Sequence, residues 1–218
     1  MTNNDLPETF ERLDAAAQQW MPPIVTEMAR QGASHFEILV AAVLSARTLD
    51  TVTVKVYPKL FALAKTPRAL AALSEQEIAT AIRGVAFPAQ KAKQTRALAR
   101  LLVENYDSRV PETIEELIAL PGVGRKVANL VVVEAFGKPG ICVDTHVHRI
   151  VNRWGYIKTK TPAETEMSLR AILPPRYWQS INPLLVALGQ NICRPTSPKC
   201  SICPIAEFCD KVGVTKSR

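Results

Sequence analysis

The chain has 218 residues, with 27 lysines and arginines against 20 aspartates and glutamates, a formal charge of +7. That length buries a substantial core, as one domain or two intimate ones. The positive excess favours a polyanionic partner. Because the cations are scattered along the chain, only the fold can gather them into a patch. The start, MTNNDLPETFERL, is polar, unlike a secretory signal, and the longest apolar stretch, near ILVAAVLSA, is far short of the ~20 residues a membrane span needs. The expectation is a soluble cytoplasmic protein without membrane contact.

Helix signals dominate in chain order. Asp5 and Pro7 open a helix predicted to reach Trp20, where Met21-Pro22-Pro23 ends it. Ser34 is suited to cap HFEILVAAVLSA, and Asp50 the segment after it. Ser74 with Glu77, and later Thr161 with Glu164, have the spacing of capping boxes. Pro88 to Tyr106 predicts a helix with a polar face, Pro111-Glu112-Thr113 starts a short one ending at Leu120, and Asn182-Pro183 starts one running to Ile192. Alternating strand patterns are scarce, and the β-branched cluster LVVV sits within a helical length. The predicted fold class is all-α.

The stretch LPGVGRKVANLVVVEAF joins a tight turn to an almost wholly apolar helix. Pro121 stops one helix, while Gly122 and Gly124, flanking Val123, permit unusual backbone angles and close approach. The amides at the start of the next helix suit a phosphate oxygen. On these residues alone, an ordinary helix-to-helix turn fits as well as a grip on a nucleic-acid backbone. At ~100° per residue, Arg125, Lys126 and Asn129 share one polar stripe. The rest of the helix is apolar apart from Glu134, so Lys126 is expected at the rim of a buried helix. A cation at that end is disfavoured by only ~0.3–1 kcal/mol. Desolvation and the adjacent Arg125 must supply whatever else would free its amine for Schiff-base chemistry. Simple phosphate contact is the alternative role for Lys126.

Asp144, in ICVDTHVHRI, precedes a helical run and is a favoured N-cap. Capping would fix its carboxylate without excluding chemistry. The tail then changes character. Cys193, Cys200, Cys203 and Cys209 give C-x6-C-x2-C-x5-C, while the fifth cysteine, Cys142, reads as a small buried residue. Four thiolates in one short loop suit either Zn²⁺ or an iron–sulfur cluster, and spacing alone leaves both open.

Together, LPGVGRKVAN, VDTHVHRIVNR and this cysteine spacing resemble the endonuclease III family of DNA glycosylases and abasic-site lyases, within the helix-hairpin-helix glycosylase superfamily. The similarity runs from about Phe36 to Cys209. It implies a two-lobed fold. Residues 28–138 would form a helical bundle carrying the hairpin; residues 1–27 and 139–218 would form a discontinuous cluster domain. DNA would cross between the lobes, with Lys126 and Asp144 on opposite walls.

The resemblance further implies that Lys126 attacks the sugar C1′ atom and that Asp144 assists loss of the base. Gly122, Val123, Gly124 and Arg125 would contact DNA. The four cysteines would hold a [4Fe–4S] cluster that orders a basic finger with Arg194 and Lys199. His146 matches the family's VDTH and would face DNA. Two family loops enter the duplex, matching LSARTLD and GVAFPAQKA. Arg47 stands where the family usually has glutamine, and Phe87 near its leucine wedge; Pro88 and Ala89 also depart from the usual residues. The expected activity is a monomeric bifunctional enzyme acting on oxidised pyrimidines or abasic sites in double-stranded DNA. The alternatives are a mismatch or other-base glycosylase on the same scaffold, and a non-catalytic DNA-binding module with structural zinc.

Overall fold

The computed structural model describes residues 1–218. The chain forms two compact units, one of Met1–Pro23 with Pro139–Arg218, the other of Ile24–Lys138. Neither contains a strand; the one isolated bridge joins Arg83 and Val85. No helix is long and apolar enough to cross a membrane.

The continuous unit holds α2 (Ile24–Arg30), α3 (His35–Ser45), α4 (Asp50–Leu63), α5 (Pro67–Ala72), α6 (Glu75–Ala81), α7 (Pro88–Asn105), α8 (Ile114–Ile118) and α9 (Arg125–Phe136). Two full capping boxes start α3 and α6: Ser34 with Glu37, and Ser74 with Glu77. The apolar runs of α3 and α9 pack on each other, burying Ile38 to Leu44 against Val127 to Val132. Glu134 breaks the apolar run of α9 without a charge lost in the core. The Thr26 hydroxyl donates to it at 2.6 Å, and burial raises its carboxyl pKa.

Several expected boundaries move. Asp50 is the first residue of α4 and Leu49 its N-cap, so Asp50 acts on the helix dipole instead of capping by side chain. The boundary expected at residue 28 falls inside α2, whose buried Ile24, Val25, Thr26 and Met28 belong to the bundle.

The discontinuous unit holds α1 (Leu6–Ala17), α10 (Thr145–Arg153), α11 (Pro162–Ile172) and α12 (Ile181–Asn191), followed by 3₁₀ turns at Cys200–Ile202 and Ala206–Phe208. Leu6, Phe10 and Leu13 of α1 join Val147, Ile150, Trp154, Leu185 and Leu188 in one core. The N-terminal helix is thereby tied to the far end of the chain. It ends at Ala17, short of Trp20, and the Asp5 carboxylate accepts from the Thr2 amide and hydroxyl instead of the first helical turn. The expected box at α11 is half formed. Thr161 accepts from the Glu164 amide, but the Glu164 carboxylate takes the amide of Lys160.

Candidate functional site

In the continuous unit, α8 ends at Ile118 and the chain turns through Pro121-Gly122-Val123-Gly124 into α9. Gly122 has φ +80°, and a Cβ there would lie 3.1 Å from Gln94 Cβ, so the fold itself demands glycine. Gly124 differs from the expectation: its φ of −96° is ordinary extended backbone, and a Cβ there would meet nothing within 4 Å. Val123 is buried and anchors the turn beneath these two exposed glycines. Gly124 thus leaves open space beside the first amides of α9. Arg125 is exposed and Lys126 half-buried; Asn129, fully buried, donates to the Arg125 carbonyl at 3.1 Å. Lys126 sits where the polar stripe meets the buried face.

The same unit carries Arg47 and Phe87 on two turns. Both have left-handed backbones, φ 57° and 56°, uncommon for residues with a Cβ. The Arg47 guanidinium lies 5.6 Å from the Phe87 ring centroid, and Phe87 is 57% exposed. Phe87 is the N-cap of α7, with Pro88 the first helical residue. Exposed Leu49 flanks the pair in sequence.

In the discontinuous unit, Asp144 is the N-cap of α10. Its Oδ1 accepts from the amides of His146 at 2.8 Å and Val147 at 2.9 Å. Both bonds fall on one oxygen, so capping does not occupy the other. His146 is half-buried. Its Nδ1 lies 3.1 Å from Arg149 Nη2, and a Cβ on Gly189 would come within 2.2 Å of that nitrogen. The imidazole is therefore set against α12. His148, at 2.7 Å from the Thr165 hydroxyl, is similarly engaged in packing.

Cys193, Cys200, Cys203 and Cys209 line one narrow apolar cavity with Leu188, Ile192 and Ile205. None forms a disulfide, and burial pushes the Cys203 thiol up to about 11. Thiols so placed need compensating positive charge to ionise. No three His, Cys, Asp or Glu side chains gather closely enough for a single metal ion. Four free thiols around one cavity supply the four thiolate ligands that an iron–sulfur cluster takes. Sequence reading missed two arginines that hold this loop. Arg149 donates to the Cys193 carbonyl at 2.8 Å; Arg153 reaches Cys193 Sγ at 3.3 Å and the carbonyls of Arg194 and Pro195 at 2.7 and 2.6 Å. Their i,i+4 spacing on α10 is the only local signal. Arg194 is exposed and Lys199 half-buried, and Cys142 is fully buried outside this set.

Residues 40–175 match the HhH-GPD superfamily of base excision DNA repair proteins, and residues 193–209 the iron–sulfur binding domain of endonuclease III. Endonuclease III of Thermotoga maritima is 45% identical over 175 residues, covering 80% of this chain and 82% of that one. The chain belongs to the endonuclease III family. A solved non-covalent endonuclease III–DNA complex superposes with a TM-score of 0.86 at 32% identity, over 97% of this chain and 96% of that one. A trapped endonuclease III–DNA covalent intermediate gives the same TM-score and identity, covering 97% of each chain. The endonuclease III fold is thus all-helical here, and the protein is a base excision repair enzyme with a [4Fe–4S] cofactor. This decides against structural zinc and against a non-catalytic module.

Proposed function

We propose that the protein binds double-stranded DNA as a monomer, releases damaged, chiefly oxidised, pyrimidines and then cuts the strand at the abasic site. The observation that carries this reading is Lys126 itself. A primary amine stands half-buried in the first turn of α9, one residue beyond the Pro-Gly-Val-Gly turn, on the short polar stripe of a largely apolar helix. A purely hydrolytic glycosylase needs no amine there.

In the proposed sequence, the neutral Lys126 Nζ attacks C1′ and the glycosidic bond breaks, its electron pair leaving with the base, which takes up a proton. The Asp144 carboxylate stabilises the positive charge that develops on the sugar. Opening of the ring at O4′ leaves a Schiff base between Nζ and C1′. Removal of a 2′ proton then expels the 3′ phosphate by β-elimination, and water hydrolyses the imine to restore the lysine. The two protons that Nζ loses match those taken up by the base and by O4′, and a proton acceptor at C2′ and water complete the sequence.

Phosphate binding is assigned to Gly122, Val123, Gly124 and Arg125. The open space at Gly124 supports this, because no neighbour within the chain requires the missing side chain. Arg47 and Phe87 are assigned to the gap left by the flipped nucleotide. The four cysteines are assigned as cluster ligands, with Arg149 and Arg153 supplying positive charge and donors around Cys193. The cluster supplies no step of the reaction; it fixes the loop that carries Arg194 and Lys199 toward DNA. His146 is assigned to the same face. The two compact units are proposed as the hairpin-bearing and cluster-bearing parts of one enzyme.

The Arg47–Phe87 stack also favours a second reading of substrate range, in which a mismatched or other base is taken. A panel of lesion-bearing duplexes, read separately for released base and for strand scission, tests both. Release and scission together on oxidised pyrimidines support the first reading; release of other bases without scission overturns it.

A further inference from the structure

Lys91 is the only lysine or arginine buried in the chain, at 6% exposure. It lies in the first turn of α7, within KAKQTR, where composition suggests a solvated face. Its ammonium donates to the carbonyls of Leu44 at 2.5 Å and Ala46 at 2.7 Å, and to the Thr48 hydroxyl at 2.9 Å. Those three acceptors match the three donors of an ammonium. Two of them are carbonyls at the C-terminal end of α3, where the helix dipole favours a cation. Oxygen dipoles, in place of a carboxylate, compensate the charge, and burial lowers its pKa to about 8.

The geometry around Lys91 brackets both left-handed residues. Arg47 lies between Ala46 and Thr48, each bonded to the ammonium. Phe87 lies between Ala86, whose amide donates to the Thr48 hydroxyl at 3.1 Å, and the first turn of α7, where the Lys91 amide takes the Phe87 carbonyl at 3.0 Å. One residue thus secures the Arg47 turn with its side chain and the Phe87 turn with its backbone. A left-handed non-glycine residue costs ~1–3 kcal/mol and persists only where its surroundings over-determine it. An apolar side chain would fill the same space without orienting three oxygens.

We propose that Lys91 is a positioning residue: it fixes Arg47 and Phe87 in their stacked pose and so sets discrimination of the base opposite the lesion, without touching DNA. The discrimination half rests on the reading that Arg47 and Phe87 enter the duplex. The positional half does not.

The test uses the cluster-loaded full chain with Lys91→Met, and with Thr48→Val as a milder variant that removes only the hydroxyl link. Peptide-level hydrogen exchange over 44–50 and 84–91 reads position, with α5 as the internal reference. The ratio of turnover with guanine and with adenine opposite the lesion reads discrimination. Scission of an abasic site in single-stranded DNA, which has no opposite base, reads the chemistry. Lys91→Met is expected to speed exchange in both segments and leave α5 unchanged. It should lower the discrimination ratio about tenfold, ~1.4 kcal/mol of transition-state preference, with single-strand scission within about twofold of the parent. Thr48→Val should move the same readouts less. In combination with Arg47→Ala, Lys91→Met should add nothing further, because both remove one device.

Unchanged exchange in both variants overturns the positional role. Unchanged discrimination in Lys91→Met, where Arg47→Ala lowers it, overturns the link to specificity. If Arg47→Ala itself leaves discrimination unmoved, the duplex-entry reading fails and the discrimination half falls with it, while exchange alone decides the positional half.

Discussion

The guanidinium of Arg47 stacks 5.6 Å over the ring of Phe87, and each residue holds a left-handed backbone that a glycine would adopt without strain. Exposed residues kept in that state mark a surface shaped for something other than stability. Phe87→Gly is therefore expected to leave thermal stability no lower than the parent, since relief of strain of ~1–2 kcal/mol offsets the greater freedom of the unfolded chain. Turnover on duplex substrate should nevertheless fall. Melting curves and base-release rates on the same preparations check both halves; a clear loss of stability contradicts this account of the turn.

The two hairpin glycines separate folding from binding. Gly122→Ala meets both a positive φ and a close Gln94 contact, so it should destabilise by about 1–2 kcal/mol or more. Gly124→Ala should be nearly neutral in stability, yet weaken DNA binding by placing a methyl group where a phosphate is proposed to approach. Melting temperature measured beside affinity on an undamaged duplex distinguishes them. Unaltered affinity in Gly124→Ala would remove the phosphate role from this turn.

Phosphate contact also fixes the response to salt. A protein neutralising several phosphates loses affinity linearly in log salt, with a slope near −0.9 per contact on duplex DNA. Arg125→Gln should make that slope shallower by about one unit while weakening all sequences alike. A slope unchanged by this substitution would place Arg125 away from the backbone.

Lys91 gives the fold a pH signature. Its ammonium is held down to about 8 from the ordinary 10.5 by burial, so between those values the unfolded chain binds more protons. Its burial penalty is present in full below about 8 and is relieved as pH rises toward 10.5, so its contribution to stability increases across that window. The stability of the parent relative to Lys91→Met should rise from pH 8 to 10.5. A difference that falls or stays flat across that interval contradicts a buried ammonium held by neutral oxygens without a carboxylate.

Arg153→Gln removes donors from the Cys193 thiol and the carbonyls of Arg194 and Pro195. Faster loss of the iron–sulfur absorbance on warming or on chelator challenge is expected, at a rate several-fold above the parent. Loss of three hydrogen bonds from a charged donor, at about 0.5–1.5 kcal/mol each, would account for such a change. Equal rates of loss would reduce Arg153 to a bystander.

What the sequence made legible was local or strongly periodic. The Ser34 cap and the Ser74–Glu77 box were readable because the partners lie within one turn, and the Asp144 cap for the same reason, although the reciprocal Glu37 bond that makes Ser34 a full box was not foreseen. Thr161 marks the limit of that logic: the neighbouring Lys160 amide competes for Glu164, a choice that spacing cannot reveal. Helices α2 and α5 span two turns or fewer and carry too few positions to establish a period. The work of Lys91 was hidden because its acceptors lie 43 to 47 residues away, and a lysine among polar neighbours looks solvated. Arg149 and Arg153 were missed likewise, their partners near Cys193 being about 40 residues distant. The identical glycines of the hairpin proved different because only backbone angles tell which one the fold demands.

Borohydride reduction of the protein mixed with a duplex bearing one abasic site tests the central claim most directly. The Schiff base between Lys126 and C1′ should be captured as a covalent protein–DNA adduct, lost in Lys126→Ala although that variant still binds the duplex. Tight binding by the parent with no adduct, or an adduct that survives in Lys126→Ala, would contradict the assignment of this amine as the nucleophile.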